Sequence, residues 1–136
     1  MIMRHKFTFA ATLFVAAILL FSFNSWGQGL ETFANFPESG NSYQDGSFTG
    51  QDGSTWSYTQ CRGDQTIDSE TPCLAKDATA QVQSGTIPNG IGTLNFDYMQ
   101  AFSTNVELEV YVNGNYVETV TSSSEQGTVK NSGDIN

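Results

Sequence analysis

The stretch VELEVYVNGNYVETVT, residues 106–121, decides the fold. Two alternating, β-branched runs flank Asn113-Gly114, and an Asn-Gly pair suits the two-residue type I′ turn because both of its central residues need positive φ. Pairing outward from that turn sets Val112 against Asn115, Tyr111 against Tyr116, Val110 against Val117, Glu109 against Glu118 and Leu108 against Thr119. A strand has a side-chain period of two. Val106, Leu108, Val110, Val112 and Val117 therefore share a core face, and Glu107, Glu109, Tyr111, Tyr116 and Glu118 share the opposite, wet one.

The same alternation recurs on either side of the hairpin. Leu94, Phe96 and Tyr98 oppose Asn95, Asp97 and Met99, and Trp56 and Tyr58 oppose Thr55, Ser57 and Thr59. After Gln28 no apolar residue repeats at helical spacing for three turns, while short β-branched and aromatic runs alternate with Gly, Asn, Asp and Pro. Strands are predicted at 31–36, 46–49, 55–60, 80–84, 93–99, 106–112, 115–121 and, more weakly, 127–130. Asp45-Gly46 and Asp52-Gly53 read as successive hairpin corners in the near-duplicate DGSFT and DGSTW. A calcium loop is the other reading of these aspartates, but the ligand spacing of an EF-hand is absent. One buried and one wet face per sheet predicts an all-β, antiparallel β-sandwich.

Residues 1–27 have the parts of a signal peptide. Arg4, His5 and Lys6 precede an apolar run over 7–23, and Ser25 and Gly27 offer small residues before Gln28. The other reading is an uncleaved membrane anchor, for which the run is marginal because a span needs ~20 residues. Cleavage leaves one domain, 28–136, which is expected to be secreted or displayed at the cell surface and to have no membrane association. His5, the only histidine, leaves with the signal. The mature chain then lacks the side chain most used for proton transfer near neutral pH.

Beyond residue 27 only Arg62, Lys76 and Lys130 stand against fourteen acidic residues. Nucleic-acid affinity depends on Lys and Arg displacing counterions, so this domain is not expected to hold DNA or RNA. Two cysteines, Cys61 and Cys73, in an exported chain predict a disulfide worth ~3 kcal/mol in the loop-entropy account. The alternative, a metal pair, lacks histidine partners.

The stretches ETFANFP, SYQDGSFTGQDGSTWSYTQCRGD and SGTIPNGIGTLNFDYMQAFSTNVELEVYVNG together resemble a jelly-roll-like accessory module of secreted multidomain bacterial proteins. Such proteins often end in a sorting domain of the type IX secretion pathway. The resemblance covers nearly all of 31–136, most specifically GSTWSYTQCRGD and GIGTLNFDYMQAFST. It implies a jelly-roll plan similar to carbohydrate-binding modules, and a non-catalytic role beside nuclease, hydrolase or lamin-tail domains. Modules of this plan often hold a structural Ca2+, and Glu31 matches the position of its first acidic ligand. The resembling modules continue past the segment matching GTVKNSGDIN, 127–136, so the second ligand and further strands are expected beyond Asn136. The chain therefore reads as C-terminally incomplete, either a fragment of a longer reading frame or a truncated copy.

On the wet face of the hairpin, Tyr111 and Tyr116 are candidates to stack a sugar ring, with Glu109 and Glu118 accepting hydrogen bonds from its hydroxyls. The plainer reading is a cross-strand aromatic pair worth ~0.2–1 kcal/mol. Glu109 facing Glu118 is unfavourable on a ladder, and a bound cation, solvation or a different register would each relieve it. Trp56 and Tyr58 read as core rather than as a binding platform. Arg62-Gly63-Asp64 matches an integrin-type tripeptide, or else Arg62 pairs with a nearby carboxylate. Composition leaves open a two-carboxylate glycosidase, but no nucleophile elbow or phosphate loop appears. The expected function is binding of an extracellular ligand, a glycan first, without catalysis. The alternative is a structural part that supports a downstream catalytic domain of a secreted hydrolase or nuclease.

Overall fold

The turn at Asn113-Gly114 forms as the sequence dictates, with φ of 52° and 76° at its two central residues. This computed structural model describes residues 29–87 and 90–136, and the expected signal peptide, 1–27, lies outside them. The described residues contain eight β-strands and no helix. They are β1 (Gln44–Thr49), β2 (Thr55–Arg62), β3 (Cys73–Leu74), β4 (Gln81–Ser84), β5 (Asp97–Met99), β6 (Val106–Val112), β7 (Asn115–Ser122) and β8 (Val129–Asn131). All pairings are antiparallel. β2 is the centre of a four-stranded sheet, with β1 on one edge and β3 and β4 sharing the other, while β5–β8 and β6–β7 form two-stranded ribbons.

The chain makes β2 central by concentrating its buried side chains there. Tyr58 and Cys61 both lie inside although they are three residues apart, which a strict period of two forbids. An extra residue on β2 between the Gly46–Tyr58 and Gln44–Cys61 pairs resets the alternation. That residue is Gln60, whose φ of 53° lies in the left-handed region and whose N–H donates to Asp45 Oδ1 at 2.7 Å. Phe36, Phe48, Tyr58 and Cys61 form the buried cluster, with Phe33, Trp56, Leu74 and Val82 packed around them. The rings interlock edge-to-face, Phe33 on Trp56 at 5.3 Å and Phe36 on Tyr58 at 4.9 Å between centroids. Each such pair contributes ~0.5–1.5 kcal/mol beyond area burial. Tyr58 donates its hydroxyl to Glu38 Oε1 at 2.5 Å; burial first, then that bond, pushes its phenol up to about 12. Trp56 and Tyr58 are thus core residues.

Several sequence expectations are corrected here. Residues 31–36 are not a strand, because Phe33 has φ of 59° and the Phe36 N–H closes a turn onto the Phe33 carbonyl. The segment instead delivers two rings to the core. Only Asp52-Gly53 is a hairpin corner, with Gly53 at φ 81° and Asp52 Oδ1 accepting from the Ser54 N–H at 2.9 Å. Gly46 lies inside β1, where its missing side chain makes room for the Tyr58 ring directly across the ladder. Strand 93–99 shortens to β5, although Leu94 still bridges Ile135.

The second half of the chain buries fewer groups. Tyr98, Val110, Val120 and Ile135 are its buried hydrophobics, beside the polar Gln100 and Ser122. Gln100 accepts twice, its backbone carbonyl from the Gly127 N–H and its Oε1 from the Glu125 N–H. Those two bonds offset part of the cost of burying the polar side chain. Tyr98 links the two ribbons by donating its hydroxyl to the Thr121 carbonyl at 3.0 Å. Arg62 reaches across from β2, its guanidinium 5.5 Å from the Tyr43 ring and 5.2 Å from that of Phe102.

Candidate functional site

The outer face of the β6–β7 hairpin carries the two most exposed aromatic side chains among the described residues, Tyr111 at 54% and Tyr116 at 57%. They face one another across the ladder as the turn requires. Their centroids lie 5.9 Å apart and their planes meet at 77°. Neither hydroxyl is idle. Tyr111 donates to Glu109 Oε2 at 2.6 Å, and Tyr116 shares a 3.0 Å hydrogen bond with Thr119 Oγ1. The bond to Glu109, ahead of desolvation, raises the Tyr111 phenol above its ordinary value.

Below the tyrosines the register departs from simple pairing. Val110 faces Glu118, Glu109 faces Thr119 and Leu108 faces Val120. Val117 is the extra residue, a β-bulge that slides β7 by one position. Glu118 therefore does not oppose Glu109, and the facing carboxylates that would have called for a cation are not formed. Of the alternatives the sequence left open, the changed register is the one realised. The slip also places Thr119 beside Tyr116, a partner that no periodicity in the sequence marked. Bulges recur where a strand re-aims side chains, and this one does so immediately next to the aromatic pair.

Glu31 sits elsewhere. Its Oε1 accepts from the Phe33 N–H at 2.7 Å and its Oε2 from the Gln51 N–H at 2.8 Å, which ties the incoming segment to the β1–β2 turn. Gly50 lets this happen, since a Cβ there would fall 2.5 Å from both Glu31 Oε2 and Trp56 Nε1. Among the described residues no group of three His, Cys, Asp or Glu side chains gathers as a metal site. Glu31 is a backbone clamp here.

The expected Cys61–Cys73 disulfide is not formed; both thiols are free. Register explains it. Cys61 pairs with Leu74 and Arg62 with Cys73, so the two cysteines point to opposite faces of the sheet. A disulfide needs Cβ atoms turned toward each other. Burial pushes the Cys61 thiol up to about 12 and raises Cys73 as well, which disfavours the thiolate form of both.

Arg62, Gly63 and Asp64 form an internal latch. The guanidinium and carboxylate pair with each other through two hydrogen bonds. That pair, more than any other cause, holds Asp64 below the usual carboxylate range. Gly63 donates its N–H to the Gly40 carbonyl and packs so tightly on the Glu38 backbone that no side chain fits. A cell-adhesion tripeptide presents its two charges outward and apart; these are closed on one another.

The residues predicted to bind ligand thus divide. Glu109, Tyr111 and Tyr116 are brought together on one exposed face, Glu118 follows the bulge and opposes Val110 instead, and Glu31 is remote in sequence and bonded to the Phe33 and Gln51 backbone. A mostly apolar recess of about 230 Å³ opens among Ile91, Leu94, Val112, Val117 and Ile135, with Gly92 and the polar Asn136 completing its lining. No helix among the described residues is long and apolar enough to cross a membrane. No protein-family model, curated protein or solved structure matches the chain.

Proposed function

We propose that this chain is a secreted, non-catalytic β-sandwich module of jelly-roll-like plan, and that it binds an extracellular glycan through Tyr111 and Tyr116. One observation carries the reading. The two most exposed aromatics share one outer sheet face, and both hydroxyls are held by neighbours, Glu109 and Thr119. Rings fixed in this way lose less rotamer entropy on binding. The flanking carboxylate and hydroxyl supply hydrogen-bonding groups for sugar hydroxyls, in a stretch where core packing demands no aromatic. The antiparallel pairing of all the strands, with buried residues on β1, β2, β5, β6 and β7, supports the sandwich plan, and the sequence resemblance supports the accessory role. The direct test is a glycan array on folded protein, run beside the double variant Tyr111→Ala, Tyr116→Ala. The reading expects at least one glycan class retained by the wild type and lost by the variant, with circular dichroism unchanged. Equal signals from both proteins, or none from either, would refute it.

A further inference from the structure

We infer that the Tyr111–Tyr116 site selects amine-bearing sugars, the glucosamine class, over their N-acetylated and uronic-acid counterparts. The inference rests on the glycan-binding reading and adds the charge of the ligand. Two features of the site lead to it.

The first is the angle between the rings. Planes that meet at 77° with centroids 5.9 Å apart do not make the flat two-ring platform on which a chain of pyranoses lies. A sugar stacks on one ring at most, and its substituents then meet the other ring and the groups at its edge. A ring face attracts a cation within about 6 Å of its centroid. The group at the edge is Glu109. Tyr111 holds its Oε2, which fixes the carboxylate in position, while Oε1 has no hydrogen-bond partner among the described residues. An ammonium on the stacked sugar would meet an aromatic face and a positioned carboxylate together.

The second feature is the charge around the pair. Glu107 and Glu109 are exposed on β6, on the face that carries Tyr111, and neither β6 nor β7 contains Lys or Arg. Two of the three cations after residue 27 are already committed, Arg62 to Asp64 and Lys130 to Glu125. A uronate would approach Glu109 and Glu107 with no cation on either strand to receive it, and like charges repel with little compensation in a partly desolvated site. An N-acetyl group would keep the stacking but surrender the charge.

The test is calorimetric titration with glucosamine oligomers, their N-acetylated equivalents and galacturonic acid oligomers of equal length. The pH is set so that the amine is protonated and free carboxylates are ionised. The expected order is glucosamine about tenfold tighter than N-acetylglucosamine, and no binding of the uronate. Added salt should narrow that gap, because exposed charge pairs are screened within about 10 Å at 0.1 M. Glu109→Gln should reduce the gap between the two ligands to about threefold or less. Asp52→Asn, an exposed acid at the distant β1–β2 turn, should leave the gap unchanged. Equal affinity for amine and N-acetyl ligands would overturn the selectivity and leave the glycan site standing. The same narrowing in Asp52→Asn as in Glu109→Gln would also overturn it, by assigning the preference to bulk charge. Failure of every oligomer to bind would overturn both the selectivity and the site beneath it.

Discussion

The four-stranded sheet and the β6–β7 ribbon use the same residue types in opposite ways. Around β2 the aromatic rings turn inward, and Phe33, Phe36, Phe48, Trp56 and Tyr58 interlock edge-to-face. On the ribbon the aromatic rings turn outward, over a core side of valines, Leu108 and the buried Ser122. One region holds the fold with its rings, and the other presents them. Exposed large side chains of this kind stabilise a two-stranded ribbon only slightly, and the proposed ligand would account for their placement.

That contrast is open to direct attack by mutation. The largest effect is expected at Phe48, which is 9% exposed and touches Phe33, Phe36, Trp56 and Tyr58. Phe48→Ala should cost ~3–5 kcal/mol of unfolding free energy, read by urea denaturation. A cost below about 1 kcal/mol would place the stabilising core elsewhere. Next is Tyr58→Phe, which keeps the ring and removes the donor to Glu38. A lost bond to a charged, part-buried partner should cost ~1.5–3 kcal/mol, and Glu38→Gln should recover part of that loss in the double variant. Tyr111→Ala on the ribbon should cost less, ~1 kcal/mol or under, because an exposed cross-strand pair contributes ~0.2–1 kcal/mol. A Tyr111 cost matching that of Phe48 would erase the distinction between the two regions.

The smallest effect concerns the Arg62 latch between them. Asp64 has its folded-state carboxyl lowered from 3.8 by Arg62. A depressed carboxyl contributes stability above the unfolded-state value, and that contribution is lost as pH falls through the folded one. Wild type should therefore exceed Asp64→Asn in thermal stability at neutral pH by a small margin, and the two melting curves should converge as the pH drops below 3.8. A difference that persists unchanged into strong acid would show that Asp64 acts through packing rather than charge.

How far the sequence was legible follows the range of the interactions involved. Asn113-Gly114 declares its own turn, so β6, β7 and the facing tyrosines were readable from sixteen consecutive residues. The Val117 bulge was not, although the unfavourable Glu109–Glu118 facing in the simple register was a visible sign of conflict. Cys73-Leu74 is too short to show any period, and β3 went unseen with it. Missing β3 also concealed the register that turns Cys61 and Cys73 to opposite faces, so two thiols close in sequence were read as a bond. Phe33 and Phe36 looked like strand residues, but their spacing of three fits the turn that carries both into the core. The Gln60 bulge, which turns Tyr58 and Cys61 to the same side, depends on an Asp45 contact across the sheet that local sequence does not encode.

The central claim is that the ribbon's outward rings meet a ligand while the inward rings of the sheet do not. Proton NMR with assigned aromatic signals tests it in one titration, with a glucosamine oligomer as probe and the Trp56 indole as internal reference. The ring signals of Tyr111 and Tyr116, with the Thr119 methyl, should move together along one binding curve, and the Trp56 indole should stay still. Shifts centred on Trp56, or ring signals of Tyr111 and Tyr116 that stay fixed while the oligomer binds, would contradict the account.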